Sequence, residues 1–96
     1  MKILAKSRTI AADESEFTPE VLRAEARYVW ELQQAGVVRE IHFTHEGEAV
    51  LLLECLDRTE AQAVLSRMPL VRAGLIDFTV DELRAYDGYA RLFAEK

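Results

Sequence analysis

Residues 18–36 read TPEVLRAEARYVWELQQAG and carry helix signals at both ends. Thr18 is a residue type that caps the free N–H groups of a first turn, and Pro19 suits the first helical position, where no amide donor is needed. Gly36 supplies the left-handed residue that commonly follows a helix. The pattern therefore predicts one long helix bounded by Thr18 and Gly36.

One face of this predicted helix is apolar except for a single acidic side chain. At about 100° per residue, Glu25 falls in the middle of an apolar arc. The arc consists of Val21, Leu22, Tyr28, Val29 and Leu32. A buried carboxylate destabilises a fold unless it is protonated or paired. Glu25 is therefore either a functional group or one half of a structural ion pair, and the pattern leaves both interpretations open.

Four strands and a second helix are predicted around this helix. The strands are residues 2–6, 37–45, 48–55 and 75–81. Residues 57–60, DRTE, form a capping-box pattern that opens a helix, which Pro69 ends. Its apolar stripe is Ala61, Val64, Leu65 and Met68. The order β-α-β-β-α-β predicts an α+β fold, the ferredoxin-like plait, in which two helices cover one face of a four-stranded antiparallel sheet.

The two middle strands are predicted to form a hairpin with a two-residue turn at Glu46 and Gly47. The corresponding register pairs Phe43 with Val50, Ile41 with Leu52 and Arg39 with Glu54. Val38, Leu51, Leu53 and Cys55 then share the other face. Both faces read as apolar, although an antiparallel sheet needs only one packed side. We therefore expect a second copy of the chain to cover the sheet face opposite the helices.

Composition favours one small domain with a subunit interface. The chain has 96 residues, so residues 1–96 are predicted to form a single domain. Of these residues 50% are hydrophobic, which favours a second buried apolar surface such as a subunit interface. The tail, residues 85–96, carries Tyr86, Tyr89, Leu92 and Phe93. We expect this tail to pack on its own subunit or on a neighbouring one. The lone Cys55 is interpreted as a small buried hydrophobe.

Charge and hydropathy exclude several classes of partner. The net charge is −5 and the basic residues form no stripe with interleaved aromatics, so nucleic-acid binding is not expected. The apolar run at the N-terminus is too short for a signal peptide, and no stretch reaches the roughly 18 apolar residues of a membrane span. A soluble, cytoplasmic protein with no membrane partner is therefore expected.

The histidines do not predict a metal site. His42 and His45 are three positions apart on a predicted strand, so their side chains point to opposite faces. His42 shares the predicted face of Leu51 and Leu53. It is interpreted either as a core or interface histidine or as a general acid and base.

The layout resembles the muconolactone isomerase family of the dimeric α+β barrel superfamily. The resemblance covers residues 2–83 and depends on four features. These are Leu22 to Gly36 followed by Val37-Val38-Arg39, the leucine-rich strand with Glu54, the Asp57 cap and the Met68-Pro69-Leu70 break. It implies a homo-oligomeric enzyme that needs no cofactor and moves a proton within a small lactone or organic acid.

The resemblance also implies roles for individual residues. Glu25 matches the pocket glutamate and is the expected base, and Arg39 matches an arginine expected to hold the carboxylate or enolate of the substrate. Lys6 matches a lysine that ends the first strand and, with His42 and Glu54, is a candidate for substrate binding. Glu54 either orients Arg39 or forms a cross-strand ion pair with it. The alternatives are a cofactor-independent monooxygenase of the same superfamily and a non-catalytic small-molecule binding or interaction module.

Overall fold

An antiparallel sheet with strand order β2-β3-β1-β4 forms the centre of the computed structural model, which describes residues 1–94. The strands are β1 (Lys2–Thr9), β2 (Val38–Phe43), β3 (Ala49–Glu54) and β4 (Ile76–Glu82). The helices are α1 (Pro19–Gln34), α2 (Arg58–Ser66) and a short α3 (Pro69–Arg72), with 3-10 turns at Glu14–Glu16 and Gly88–Leu92. This arrangement confirms the predicted α+β ferredoxin-like plait.

Helix α1 begins and ends where the sequence predicts. The Thr18 hydroxyl accepts a hydrogen bond from the Val21 amide at 3.2 Å. At the other end Gly36 has φ +80°, and the Val37 amide donates to the Leu32 carbonyl at 2.9 Å. These contacts satisfy backbone groups that a helix end would otherwise leave unpaired.

Strands β2, β3 and β4 lie within two residues of their predicted bounds, and the prediction differs more at β1 and at Pro69. Strand β1 continues past Lys6, because Ser7 and Thr9 prolong the inward alternation and pair with Phe78 and Ile76 of β4. Pro69 does not lead directly into an irregular connection. It begins α3, since proline is well suited to the first position of a helix.

The predicted register of the hairpin is wrong by one residue. Phe43 pairs with Ala49 and Ile41 pairs with Leu51. The loop is longer than two residues: the Thr44 amide donates to the Glu48 carbonyl at 2.8 Å, and Gly47 has φ +90°. A glycine in this conformation closes three-residue hairpin loops. The register also shifts between Val38 and Glu40, which places Arg39 in a bulge.

This register changes which side chains reach the helices. Ile41 and Phe43 share the helix-covered face with Leu51, whereas His42 pairs with Val50 on the opposite face. His42 therefore does not share a face with Leu51 and Leu53 as predicted, and Arg39 does not lie opposite Glu54. The largest fully buried side chains in the described residues are Ile3, Val38, Leu51, Leu53 and Met68.

The sheet face opposite the helices is less apolar than predicted, because Ile41 and Phe43 belong to the other face. Its half-buried centre consists of Leu4, Val50 and Leu52. Charged side chains surround this centre, among them Arg8, whose Nη2 lies 2.7 Å from Oδ2 of Asp77. The face therefore combines a small apolar patch with ion pairs.

The tail does not bury its large side chains on its own subunit. Four of them are between 67% and 79% exposed: Tyr86, Tyr89, Leu92 and Phe93. The rings of Tyr86 and Tyr89 pack edge to face, with centroids 4.9 Å apart. Packing on a neighbouring subunit stays a prediction, and residues 95 and 96 of the predicted tail lie outside the described residues. No helix within residues 1–94 is long and apolar enough to cross a membrane.

Candidate active site between helix α1 and the sheet

A cavity of about 500 Å³ lies between α1 and the helix-covered face of the sheet. This volume is within the range of small-molecule sites. The α1 wall consists of Leu22, Glu25, Ala26, Val29, Trp30 and Gln33. The sheet contributes Ser7, Thr9, Ile41, Phe43, Ala49, Leu51, Ile76 and Phe78. Gly47 of the hairpin loop, Phe17, Met68 and Leu70 complete the lining.

The cavity exists because α1 packs loosely over this end of the sheet. None of the α1 residues, all of which the structure describes, is fully buried. Tyr28 attaches the helix to its neighbour, since its hydroxyl donates to the Val64 carbonyl of α2 at 2.8 Å. Val29 and Leu32 pack against the core, while Leu22, nearer the N-terminus, faces the cavity. The apolar arc of α1 thus forms a wall of the cavity as well as a packing surface.

Glu25 faces the cavity as the apolar arc predicts. Its Oε1 accepts a hydrogen bond from the Leu70 amide at 3.0 Å. Burial raises the pKa of the Glu25 carboxyl, and the Leu70 hydrogen bond opposes that effect in part. Among residues 1–94, no basic side chain lies within ion-pair distance of this carboxylate. The structural ion pair that the sequence left open is therefore not formed in the described chain.

Ser7 is a site residue that the sequence interpretation missed. It is only 7% exposed and lines the cavity from the middle of the sheet. Its Oγ accepts a hydrogen bond from the Ala49 amide at 2.7 Å, which leaves the hydroxyl hydrogen available to a ligand. The inward alternation of Ile3 and Ala5 continues at Ser7, and this signal was available in the sequence.

The other predicted site residues lie outside the cavity. Arg39 is exposed, and its Nε donates to the Gly36 carbonyl at 2.7 Å. Lys6 lies on the opposite sheet face, with its Nζ 3.3 Å from Oε1 of Glu48. His42 is on that face too, with Nε2 3.1 Å from Oε1 of Glu40.

Glu54 contacts a different cation from the one predicted. Its carboxylate binds the Met1 amino group, and this hydrogen bond lowers the pKa of Glu54. In the part of the chain that the structure describes, no ion pair joins Glu54 to Arg39. Of the predicted site residues, Glu25 alone lines the cavity.

Aromatic side chains line the opening of the cavity. Trp30 of α1 is 60% exposed, and Phe43 at the end of β2 is 75% exposed, although both belong to the lining. Large apolar side chains left accessible beside a cavity are typical of a site that a ligand or a partner covers.

Comparisons with known proteins support the fold alone. No family model and no curated protein matches the chain in sequence. Among solved structures, the chain is similar to 5-chloro-2-hydroxyhydroquinone dehydrochlorinase from Burkholderia phenoliruptrix in complex with 2,5-dihydroxybenzoquinone. The TM-score is 0.68 over 90% of this chain and 97% of that one, at 13% sequence identity. The likeness supports the fold that the resemblance implied and does not assign the chain to the muconolactone isomerase family.

Proposed function

We propose that the protein is a cofactor-free enzyme of the muconolactone isomerase type, in which Glu25 moves a proton within a small organic molecule bound in the cavity. The observation that carries the proposal is a half-buried carboxyl group on the wall of a largely apolar cavity, where burial raises the pKa of that group. A carboxyl group partly shielded from water in this way is suited to acid and base catalysis.

The contacts of Glu25 suggest how the proton moves. The Leu70 amide holds Oε1, so Oε2 is the oxygen available to a substrate. The ionised carboxylate takes a proton from a carbon next to a carbonyl, and the resulting acid returns it to the far carbon of the shifted double bond. One carbon–hydrogen bond breaks and another forms, so the reaction needs no co-reactant. We assign the Ser7 hydroxyl, which lines the same cavity, as the donor to the oxygen on which negative charge develops.

The similar solved structure supports a small-molecule enzyme in general terms. That protein is named as a dehydrochlorinase of a chlorinated hydroxyhydroquinone, and its structure contains a dihydroxybenzoquinone. In that protein, a ferredoxin-like fold of nearly the same length thus acts on a small ring compound. Fold likeness is an analogy, so the reaction proposed here depends on Glu25 and the cavity.

The proposed enzyme acts as a homo-oligomer. The four large tail side chains, three of them aromatic, are 67% to 79% exposed on their own subunit. Aromatic side chains bury roughly 150–250 Å² each, so two exchanged tails approach the roughly 1,000 Å² of a specific interface. The apolar centre of the open sheet face, around Leu52, adds to this area.

A non-catalytic binding module is the second candidate, and the predominantly apolar lining favours it. The two functions differ in what Glu25 does. An enzyme needs the ionisable carboxyl group, whereas a binding module keeps its function when glutamine replaces it.

The test uses α-angelica lactone, a small unsaturated lactone whose double bond shifts into conjugation by one proton transfer. The rate is followed by ultraviolet absorbance and by deuterium uptake from heavy water. We expect the parent protein to accelerate the reaction and Glu25→Gln to lose about 10²-fold or more of that acceleration. Glu31→Gln is the matched control, because Glu31 is an exposed glutamate of the same helix outside the cavity lining. A folded Glu25→Gln variant with the parent rate would exclude Glu25 as the base.

A further inference from the structure

We infer that the cavity takes an uncharged, ring-sized ligand that carries a hydroxyl or carbonyl group, and that it discriminates against carboxylates. The inference deepens the proposed function, because it takes the same cavity as the ligand site. It differs from the organic acid that the sequence resemblance allowed.

The charge of the lining carries the inference. Within residues 1–94, Glu25 is the only ionisable side chain that lines the cavity. Sites that bind organic acids normally supply an arginine or a lysine, and a carboxylate placed beside ionised Glu25 would bring two like charges into a poorly solvated space. A neutral ligand avoids that repulsion.

Three basic side chains of β1 and β2 lie outside the cavity. Arg39 donates to the Gly36 carbonyl and lies outside the lining. Lys6 and Arg8 point to the opposite sheet face, where they pair with Glu48 and Asp77. The sheet itself separates these two side chains from the cavity. Within the described residues, the cavity lining therefore offers no cation to balance the charge of a carboxylate ligand.

The shape and polarity of the cavity suggest that the ligand is a ring that carries a hydrogen-bonding group. Trp30, Phe43 and Phe78 give the cavity aromatic walls, against which a flat ring can pack. Its volume of about 500 Å³ exceeds the ~150 Å³ apolar cavity that accepts benzene, so a substituted ring fits. Ser7 and Gln33 supply hydroxyl and amide groups that hydrogen-bond a phenol or a carbonyl.

The experiment compares two probes of similar size, p-cresol and benzoate, at about pH 8, where a phenol stays neutral and a carboxylate is ionised. Trp30 is the only tryptophan of the chain and lines the cavity, so its fluorescence reports binding directly. The full-length protein is used in its native assembly. We expect p-cresol to bind at least about tenfold more tightly than benzoate, which corresponds to 1.36 kcal/mol or more of discrimination.

Glu25→Gln tests the cause of the discrimination. We expect this variant to improve benzoate affinity by about tenfold, because the like charge is removed, and so to narrow the preference for p-cresol. Glu31→Gln, which carries the same change of charge on the exposed side of α1, should reproduce the parent's values for both probes. An equal gain of benzoate affinity in both variants would mean that net charge, and not the cavity, sets the preference.

Two results would overturn the inference: benzoate binding as tightly as p-cresol, or no saturable change of Trp30 fluorescence with either probe. The proposed function can fail separately. If p-cresol is preferred but α-angelica lactone is not isomerised, the ligand class stands and the enzyme proposal falls. If isomerisation depends on Glu25 while benzoate is preferred, the reverse holds.

Discussion

Glu25 of α1 is hydrogen-bonded to the backbone amide of Leu70, 45 residues further along the chain, at 3.0 Å. Leu70 is the second residue of α3, and the first amides of a helix have no partner within it. The carboxylate therefore caps α3 and lines the cavity with the same side chain. This bond favours the ionised carboxylate, while burial favours the neutral acid and has the larger effect on the pKa.

The first prediction concerns the stability of the fold as a function of pH. Because the pKa of Glu25 is raised in the folded protein, the unfolded chain releases this proton at lower pH than the folded one. The contribution of Glu25 to the free energy of unfolding is therefore fully present below the ordinary glutamate pKa and is lost as the pH rises through the folded value. Urea titrations at a series of pH values measure this loss.

Glu25→Gln should remove that pH dependence, since a glutamine oxygen still accepts from the Leu70 amide but does not ionise. The variant should gain stability relative to the parent as the pH rises from acid to neutral. The control is again Glu31→Gln. A constant difference between Glu25→Gln and the parent at every pH would mean that Glu25 titrates alike in the folded and unfolded states.

The second prediction concerns the hydroxyl of Ser7. Ser7→Ala leaves the partly buried Ala49 amide without its acceptor, so we expect a loss of about 1–3 kcal/mol in the free energy of unfolding. We also expect slower isomerisation of α-angelica lactone, because a donor at the cavity wall is removed. Ser66→Ala is the matched control: Ser66 is exposed and donates only to Ala63 of its own helix. Similar losses of stability and rate in both variants would mean that Ser7 contributes no more than an exposed serine does.

The features that could be predicted from the sequence are those that depend on residues close together in the chain. The caps at Thr18 and Gly36 depend on neighbouring residues, so both ends of α1 were predictable, and the inward position of Glu25 follows from helical periodicity. The hairpin register depends on φ at Gly47 and on the bulge at Arg39, which alternation alone does not specify. One residue of slip was enough to place His42 on the wrong face.

The cavity could not be predicted from sequence patterns. It is a region where the apolar arc of α1 does not meet the sheet, and periodicity indicates which side chains point inward without indicating how closely they pack. Arg39 illustrates the point: it follows the helix-ending glycine as the resemblance requires, yet its side chain returns to the Gly36 carbonyl.

The third prediction separates the sequence interpretation of Arg39 from its place in the structure. If Arg39 holds the substrate, Arg39→Ala should weaken binding and slow isomerisation of α-angelica lactone. From its position outside the cavity we expect the isomerisation rate and p-cresol affinity to stay close to those of the parent. Loss of its exposed hydrogen bond should change stability by no more than about 1 kcal/mol. A large loss of activity in a stable variant would mean that Arg39 does take part in the site.

The last prediction concerns the tail. Four large apolar side chains, Tyr86, Tyr89, Leu92 and Phe93, are exposed on one subunit, and each stabilises an interface by roughly 1.5–3 kcal/mol when fully buried. Ending the chain after Ala85 should therefore weaken self-association, which light scattering measures against the 10.9 kDa mass of one chain. A variant with Tyr86, Tyr89 and Phe93 changed to serine keeps the length of the tail and should behave like the truncation. If the parent is itself a monomer at micromolar concentration, or if both variants keep the parent's mass and melting temperature, the tail is not an interface element.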